Sequence, residues 1–356
     1  MRKFLSIVIP RYKETEREIF PLLSSISGQV GVDFSDLEVM IVNDGGGAGA
    51  LDMDFLALFG LDIRQLALEE NQGPGAARQA GLDEAKGEYV MFCDADDALH
   101  SVGVLGALMQ EAEKTAPDIL NSSWLEELRD ENGTFRYITH ENENTWMHGK
   151  LLRRQFLVQN NIRFHPDLRV HEDSYFLCIA AALAQRHNHL PVTTYVWKHR
   201  ADSITRRNGS VYTYESIPTF IQACTMAHQE VERRNPAQME YKIVQFILYN
   251  YFCFHQPGWQ APDHAEYLQA AERAFAEHMQ PFWHYWDDAP AQRIAEVYNQ
   301  ERARSFAGCV EHETVGAWLG RMRCESERKA EREAERIHRK QEREAAALAE
   351  AAAAKW

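Results

Sequence analysis

The sequence lacks the usual features of an exported or membrane-spanning protein. Its six cysteines are scattered and form neither a Cys-x-x-Cys pair nor a zinc-finger spacing, so we expect reduced thiols. The first apolar run, residues 4–9, is too short for the core of a signal peptide. No stretch approaches the roughly 18 apolar residues of a membrane span. These absences predict a cytoplasmic protein without a transmembrane segment.

Positive charge is also in deficit. Lys and Arg number 38 against 53 Asp and Glu, which gives a net charge of -15. This balance argues against broad attachment to nucleic acid or anionic membranes, and it leaves nucleic acid open only as an acceptor at a local basic site. The 356 residues, 45% of them apolar, exceed one compact core and predict two or three folding units.

The first hundred residues alternate buried strands with helices. Four β-branched, apolar runs predict strands, and the stretches between them have helical character; the runs are residues 4–10, 37–43, 62–68 and 88–94. Pro74 suits the first turn of the third helix, and Gly87 suits its C-terminal cap. This rhythm predicts an α/β domain with a parallel sheet.

The remainder of the chain predicts a change to helical structure. Residues 101–210 mix helical and strand patterns and are expected to complete the sheet domain, whereas residues 211–319 are expected to form a helical domain. Residues 241–255 are apolar nearly all round, which predicts a buried helix or a homodimer contact. Residues 320–356 are rich in Glu, Arg and Ala and predict a solvated helical tail without a coiled-coil heptad.

Three carboxylates crowd together directly after the fourth predicted strand: Asp94, Asp96 and Asp97. A helix N-terminus would explain one or two of them. Two carboxylates about 4 Å apart repel by roughly 4 kcal/mol at an effective dielectric near 20. Mg²⁺ or Mn²⁺ would relieve this repulsion and would let a diphosphate approach. Ligands of parallel sheets bind beyond the carboxyl ends of the strands, where this cluster lies.

Four segments, in order and with suitable separations, carry a family resemblance. They are "SIVIPRYKE", "IVNDGG", "NQGPGAARQAGLDEAKGEYVMFCDADD" and "RVHEDSYF". Together they resemble the signatures of family 2 glycosyltransferases of bacterial or phage type, over residues 4–210. The resemblance implies a Rossmann-like, A-type glycosyltransferase domain in residues 1–210, with a nucleotide-sugar half (1–100) and an acceptor half (101–210), followed by the α-helical region.

The resemblance implies a nucleotide diphosphate sugar as donor and Mn²⁺ or Mg²⁺ as cofactor. Asp94 would face the ribose beside Ala95 and would also approach the metal, Asp96 would ligate the metal, and Asp97 would be a support or second ligand. Asp44 would bind the base, Arg78 would lie near the base or phosphates, and the first strand would line the pocket with Pro10, Tyr12 and Glu14. The alternatives are a turn-forming Asp44 and a surface Arg78.

The resemblance also places a catalytic base in the acceptor half. An acceptor hydroxyl is a poor nucleophile unless a positioned base takes its proton. The family pattern gives this role to Asp173, with Glu172 as second choice; the same pair could instead cap the helix that follows. A bound metal would stabilise the leaving diphosphate in a one-step inversion.

A basic segment, residues 194–207, could contact the phosphates or close over the donor, as in bacterial members. The candidates are His199, Arg200, Ser203, Arg206 and Arg207, with His199 also a candidate metal ligand or an ordinary histidine. Two family positions differ here: Lys13 replaces the usual Asn, and Asn43 to Gly46 replace Asp-Asp-Gly-Ser. A UDP-sugar is nevertheless the expected donor.

The sequence therefore predicts a metal-dependent inverting glycosyltransferase acting on a glycan or other hydroxyl acceptor. One alternative is an inert nucleotide-sugar-binding or scaffolding protein whose helical region holds a partner. The other is a dehydrogenase, since Gly45, Gly47 and Ala50 loosely match a dinucleotide loop. The intervening Asn-Asp disfavours that alternative because Asp44 would meet the pyrophosphate.

Overall fold

The computed structural model describes residues 3–45, 49–130, 132–200, 203, 211–306 and 308–324. The chain divides into two compact units, one of residues 1–209 with 223–236 and the other of residues 210–222 with 237–356. The predicted boundaries of the halves, the helical domain and the tail stay predictions.

The first unit is an α/β domain, and its described residues form a nine-stranded sheet. Its strands are β1 (Lys3–Arg11), β2 (Leu37–Asn43), β3 (Ile63–Ala67), β4 (Gly87–Phe92), β5 (Ala98–Leu99), β6 (Ile119–Arg129), β7 (Phe135–His140), β8 (Lys150–Arg153) and β9 (His187–Trp197). Its helices are α1 (Glu16–Ser27), α2 (Met53–Ala57), α3 (Pro74–Glu84), α4 (Val104–Thr115), α5 (Arg154–Gln159) and α6 (Glu172–Leu183). The second half of α7, described below, also belongs to this unit.

The sheet is mostly parallel, as predicted. Its order is β3-β2-β1-β4-β8-β6-β9-β5, with β7 paired to β6. The long ladders that join β1 to β2 and β4, β2 to β3, and β6 to β9 are parallel. The short strand β8 runs antiparallel between β4 and β6. Strand β4 therefore stands between the β1–β3 half and the β6–β9 half of the sheet.

A buried polar contact fixes the start of β4. Ser6 Oγ donates to Glu38 Oε1 (2.6 Å), while the backbone N–H groups of Lys86 and Gly87 donate to Glu38 Oε1 (2.7 Å) and Ser6 Oγ (2.8 Å). Because Ser6 and Glu38 are 0% and 2% exposed among the apolar core residues of β1, β2 and β4, these bonds satisfy groups that would be costly to bury alone. They set the register of the strand that carries the acid cluster at its other end.

The prediction that Gly87 caps α3 is wrong. Helix α3 begins at Pro74, as predicted, but ends at Glu84, and Gly87 is the first residue of β4. A Cβ atom at Gly87 would lie 2.5 Å from the Ser6 backbone nitrogen. The glycine is therefore required by the close approach of β1 rather than by a helix end.

The second unit is helical, as predicted. Its helices are α7 (Val211–Arg234), whose residues 223–234 belong to the first unit, α8 (Met239–Phe254), α9 (Ala265–Met279), α10 (Trp283–Asp287) and α11 (Ala291–Ser305); residues 315–324 are also helical. Most side chains of α8 are buried, which confirms a buried helix in the apolar segment 241–255. Residues 325–356 of the predicted tail lie outside the described residues.

Among the described helices, none is long and apolar enough to cross a bilayer. The cytoplasmic location and the homodimer stay predictions.

Candidate functional site

The three acids after β4 differ in their surroundings. The side chains of Asp94 and Asp96 are 34% and 27% exposed, whereas Asp97 is 1% exposed. Asp97 Oδ2 accepts from Tyr195 Oη (2.6 Å), and Asp97 Oδ1 accepts from the Lys198 backbone N–H (2.8 Å). Burial raises the pKa of Asp97 well above its ordinary value, and the charges of Asp94 and Asp96 raise it further. Asp97 thus points inward and joins the loop to β9.

Tyr195 holds the acid loop a second time. Its hydroxyl also accepts from the backbone N–H of Asp94 (2.9 Å), and its side chain is completely buried. One phenol therefore fixes both the backbone of Asp94 and the carboxylate of Asp97. We expect this contact to limit the conformations of the whole loop, since a buried donor or acceptor left unpaired is costly.

Arg78 connects the acid cluster with the "HED" motif. Its Nη2 lies 2.6 Å from Asp94 Oδ1, and its Nη1 lies 2.5 Å from Glu172 Oε1. The side chain is 7% exposed, which rules out the alternative of a surface arginine. Burial alone would lower the pKa of Arg78, but Asp94 and Glu172 outweigh it and raise the pKa. Two motifs far apart in sequence thus share one buried guanidinium.

The two candidate bases stand at the start of α6. Burial, followed by the charge of Asp173, raises the pKa of Glu172 to about 7. Burial also raises the pKa of Asp173, against the opposing charges of Arg78 and His171. Asp173 is only half-buried, and its Oδ1 accepts from the Ser174 backbone N–H (2.7 Å). This first-turn bond is compatible with both the catalytic role and the capping alternative.

Gly75 allows α3 and α6 to come together. A Cβ atom at this position would lie 2.9 Å from Cγ and 3.1 Å from Cβ of Glu172. Such a contact would displace Glu172 from Arg78. Gly75 of the "GPG" turn therefore contributes to the site by leaving space for the Glu172 side chain. The glycine itself carries no functional group.

Arg200 contacts the outer acid of the cluster. Its Nη1 lies 3.0 Å from Asp96 Oδ2 and 3.6 Å from Glu14 Oε1, and its Nη2 lies 3.2 Å from Glu18 Oε1. Burial, followed by the charge of Asp94, raises the pKa of Asp96 to about 6, and Arg200 opposes this shift. The predicted basic segment therefore reaches the acid cluster through Arg200.

His148 is a site residue that the sequence interpretation missed. One ligand atom from each of Asp94, Asp97 and His148 lies within 4.8 Å of the other two. Among the described residues, no other set of three or more potential metal ligands comes this close together. Burial lowers the pKa of His148 to about 4, so the imidazole is neutral at neutral pH, the form that binds metals. Two carboxylates and a neutral imidazole fit Mn²⁺.

The predicted ligands Asp96 and His199 are not in this set. The backbone N–H of His199 donates to Glu127 Oε1 (3.1 Å), and its side chain is half-buried. His148 lies in the turn directly before β8, with Gly149 at a positive φ of 62°, so no strand or helix periodicity in the sequence marks it.

Asp44, the residue predicted to bind the base, follows directly after β2. Asp44 accepts from Asn71 Nδ2 (3.0 Å) and from the backbone N–H groups of Gln72 (2.8 Å) and Gly73 (2.9 Å). These bonds use three of about four acceptor positions on the carboxylate. Asp44 thus fastens the loop that precedes α3, and it has limited capacity left for a base.

The remaining predicted residues have varied surroundings. Pro10 is buried within β1 opposite Val42, and Ala95 is 3% exposed within the core. Tyr12 is half-buried, and its backbone N–H donates to Glu14 Oε2 (2.8 Å). Ser203 is half-buried. Arg206, Arg207 and the glycines at 46 and 47 lie outside the described residues.

The architecture is that of A-type glycosyltransferases. Residues 1–349 of TarS from S. aureus, solved in complex with UDP-GlcNAc, superimpose with a TM-score of 0.59 at 20% identity, covering 86% of this chain and 92% of that one. At this identity the likeness concerns the fold. Residues 6–168 match the family model Glycosyl transferase family 2, and this segment of the chain belongs to that family.

Curated relatives agree with the family. The uncharacterized glycosyltransferase EpsJ of Bacillus subtilis is 28% identical over 227 residues, 58% of this chain and 64% of the relative. The uncharacterized glycosyltransferase YwdF of the same species is 36% identical over 131 residues, 36% of this chain and 46% of the relative. The chain thus spans less than two thirds of the length of these relatives.

Proposed function

We propose that the protein is a metal-dependent inverting glycosyltransferase. It would transfer a sugar from a nucleotide diphosphate sugar, a UDP-sugar by expectation, to a hydroxyl of a glycan or another acceptor. The observation that carries this proposal is the bridge from Asp94 through Arg78 to Glu172. It joins the acids expected at the donor diphosphate to the pair expected at the acceptor hydroxyl, as single-step transfer requires.

Asp173 is the better candidate for the general base. Glu172 is buried and held by Arg78 at 2.5 Å, whereas Asp173 is half-buried and reachable. As the acceptor oxygen bonds to the anomeric carbon, its proton passes to Asp173. The bond from that carbon to the diphosphate oxygen breaks, and the leaving group takes the electron pair. Burial raises the pKa of Asp173, which makes it a stronger base than an ordinary carboxylate and favours this proton transfer.

Asp94 would be central to metal binding. Asp94 and Asp96 retain exposed surface, which suits an ion that also contacts substrate phosphates, while Asp97 and His148 are nearly closed to solvent. We assign contact with the ion to Asp94, with Asp97 and His148 beside it in the set whose ligand atoms converge, and keep Asp96 and His199 as predicted ligands. A bound Mn²⁺ or Mg²⁺ would offset the charge of the leaving diphosphate.

The roles can be tested with two isosteric variants. Donor hydrolysis and sugar transfer with Mn²⁺ should fall by at least about 10²-fold in Asp96→Asn and in Asp173→Asn. The matched control is Asp83→Asn, because Asp83 also pairs with an arginine, Arg163, but at an exposed position. Undiminished turnover in both site variants would refute the assignment.

The donor can be identified by ligand-induced stabilisation. A ligand at 100 times its dissociation constant adds about 2.7 kcal/mol to the free energy of unfolding. We expect a nucleotide diphosphate sugar with Mn²⁺, first tested as UDP-sugars and then as other nucleotides, to raise the melting temperature. The shift should shrink in Asp96→Asn. A shift without Mn²⁺ that equals the shift with it would contradict metal dependence.

A further inference from the structure

Strand β7 is an open edge of the sheet. Among the described strands it pairs with β6 alone, and every side chain of residues 135–139 is exposed. Phe135, Tyr137 and Ile138 are 49%, 53% and 45% exposed. Proteins usually protect such an edge with proline or a bulge, because an open edge pairs with other chains. Strand β7 contains no proline, and its pairing with β6 has no bulge.

The turn before β7 determines which backbone groups point outward. The Asp130 N–H donates to the Thr134 carbonyl oxygen (3.0 Å), and the register continues from there without interruption. Because antiparallel strands alternate between bonded and non-bonded pairs, Phe135, Tyr137 and Thr139 direct their N–H and C=O groups away from β6. None of the hydrogen bonds among the described residues uses these outward groups.

The charges on one face of this hairpin are complementary to those of a second copy. In the register of β6 and β7, Arg136 lies beside Leu128, and Ile138 lies beside Glu126. Glu126 Oε2 is 3.1 Å from His140 Nε2. Arg136 is exposed, and no carboxylate of the described residues pairs with it. The face thus presents an unpaired cation two residues away from a position next to an acid.

These charges favour one antiparallel register between two copies. A two-fold axis at Arg136 would set two like charges opposite each other, and an axis at Ile138 would set Arg136 opposite His140. An axis at Tyr137 sets Arg136 opposite Ile138 of the second copy, in line with Glu126 of that copy. Two strand spacings separate the Cα atoms of Arg136 and this Glu126 by about 10 Å, which the two long side chains can span. Symmetry forms this ion pair twice.

The opposite face tolerates the same register. Tyr137 of each copy would lie side by side, and Phe135 would lie opposite Thr139. Tyr137 Oη donates to Glu127 Oε2 (2.9 Å), and the Arg129 guanidinium carbon is 5.5 Å from the centroid of the Phe135 ring. The Glu127 residues of the two copies would be three strand spacings apart, about 14 Å, which exceeds the Debye length of about 8 Å at physiological ionic strength.

We propose that two copies of this chain pair through β7 in an antiparallel, two-fold symmetric contact centred on Tyr137. The contact would satisfy the outward backbone groups of Phe135, Tyr137 and Thr139, cover their exposed apolar surface, and join the two sheets into one. The occupant is a second copy because the charges of the edge complement themselves. This inference concerns assembly alone, so it stands or falls independently of glycosyl transfer.

Sedimentation equilibrium of the full chain tests the charge pairing. The wild type should dimerise, and Arg136→Glu and Glu126→Arg should each weaken dimerisation at least about tenfold, because each makes both cross-copy pairs repulsive. An equimolar mixture of the two variants should recover association to within about threefold of the wild type, since opposite charges then meet at both contacts. The matched control is Lys114→Glu, a charge reversal at an exposed position of α4, which should leave dimerisation unchanged.

A cysteine at the axis gives a second test. In a Cys324→Ser background, which removes an exposed thiol, Tyr137→Cys should form a disulfide-linked dimer under mild oxidation. Opposed Cα atoms in a hydrogen-bonded pair lie about 5.5 Å apart, which a disulfide spans. The control is Thr134→Cys in the same background. Thr134 is exposed in the same hairpin, but its two copies would lie about 20 Å apart along the paired strands, so cross-linking should be at least about tenfold slower.

Three results would each overturn the inference. A wild type that stays monomeric would leave this edge to a different partner. A mixture of the charge variants that associates no better than its components would contradict the register. Equal cross-linking rates at positions 137 and 134 would contradict the position of the axis. If a charge variant does not fold, the cysteine comparison still decides.

Discussion

Two arginines contact the same acid motif, but in opposite surroundings. Arg78 is 7% exposed and lies between Asp94 and Glu172. Arg200 is 25% exposed, its closest carboxylate is Asp96, and Glu14 and Glu18 lie farther away. The buried guanidinium has carboxylate partners at short distance that it cannot exchange for water. The outer one can exchange its partners with water at little cost.

This difference separates a fixed part of the site from an adjustable part. A buried charge deprived of its partner costs several kcal/mol, whereas exposed pairs contribute about 0–1 kcal/mol. We therefore expect the bridge through Arg78 to persist during substrate binding. The contact between Arg200 and Asp96 is the one that a cation or a diphosphate can replace.

The largest expected effect is the removal of the buried guanidinium. Arg78→Met leaves Asp94 and Glu172 without their cation and should lower the free energy of unfolding by about 3–5 kcal/mol. Urea denaturation measures this loss. Arg163→Met, which removes the exposed pair with Asp83, should lose less than about 1 kcal/mol. Equal losses would show that burial does not distinguish the two pairs.

The next effect concerns the phenol that holds the acid loop. Tyr195→Phe removes the donor to Asp97 and the acceptor for the Asp94 N–H, and should lower stability by about 1–3 kcal/mol. Tyr137→Phe is the control, since this hydroxyl bonds Glu127 at an exposed position, and it should change stability by less than about 0.5 kcal/mol. A Tyr195 variant as stable as the control would contradict the anchoring role.

The outer acid should make stability depend on pH. Asp96 has a folded-state pKa raised from 3.8 to about 6, so between these values the folded protein binds more protons than the unfolded chain. Its stabilisation is present below pH 3.8 and is lost as pH rises through 6. With EDTA present to remove bound metal, raising the pH from 3.8 to about 6 should lower the free energy of unfolding of the wild type relative to that of Asp96→Asn. The expected difference is about 1 kcal/mol after solvent screening. Parallel stability curves would contradict the raised pKa.

The smallest effect on stability is expected at the outer arginine. Arg200→Met should change the free energy of unfolding by less than about 1 kcal/mol. It should nevertheless move the pH midpoint of Mn²⁺ binding upward, because Arg200 holds down the pKa of Asp96. Titration with Mn²⁺ between about pH 4 and pH 8, roughly two units either side of that pKa, measures the midpoint. A downward movement would contradict the contact with Asp96.

The sequence was informative where structure follows from local pattern. The apolar runs of all four strands predicted a parallel sheet because such strands are apolar on both faces, which holds for β1, β2 and β4, whereas β3 lies at the end of the strand order and is only half-buried. The acids after β4 stood out by their charge. The role of Arg78 was only partly accessible. Its helix was predicted, but its contact with Glu172 depends on how α3 and α6 approach each other.

His148 was missed for a related reason. It is placed by β8, a four-residue strand that inserts between β4 and β6, and a strand this short has little pattern of its own. The inward direction of Asp97 was equally hidden, because it depends on Tyr195 from β9. Contacts between residues about a hundred positions apart in sequence leave no periodic signal in a single sequence.

The glycine at position 75 has a consequence for genetic screens. Because the side chain of Glu172 fills the space where a methyl group would stand, even alanine there should impair the protein as severely as loss of an ionisable group. A saturation library would then rank this position among the least tolerant, although it offers nothing for a substrate to touch. Intolerance at position 75 would mark the packing contact between α3 and α6. The catalytic and binding groups would be the side chains that this contact positions.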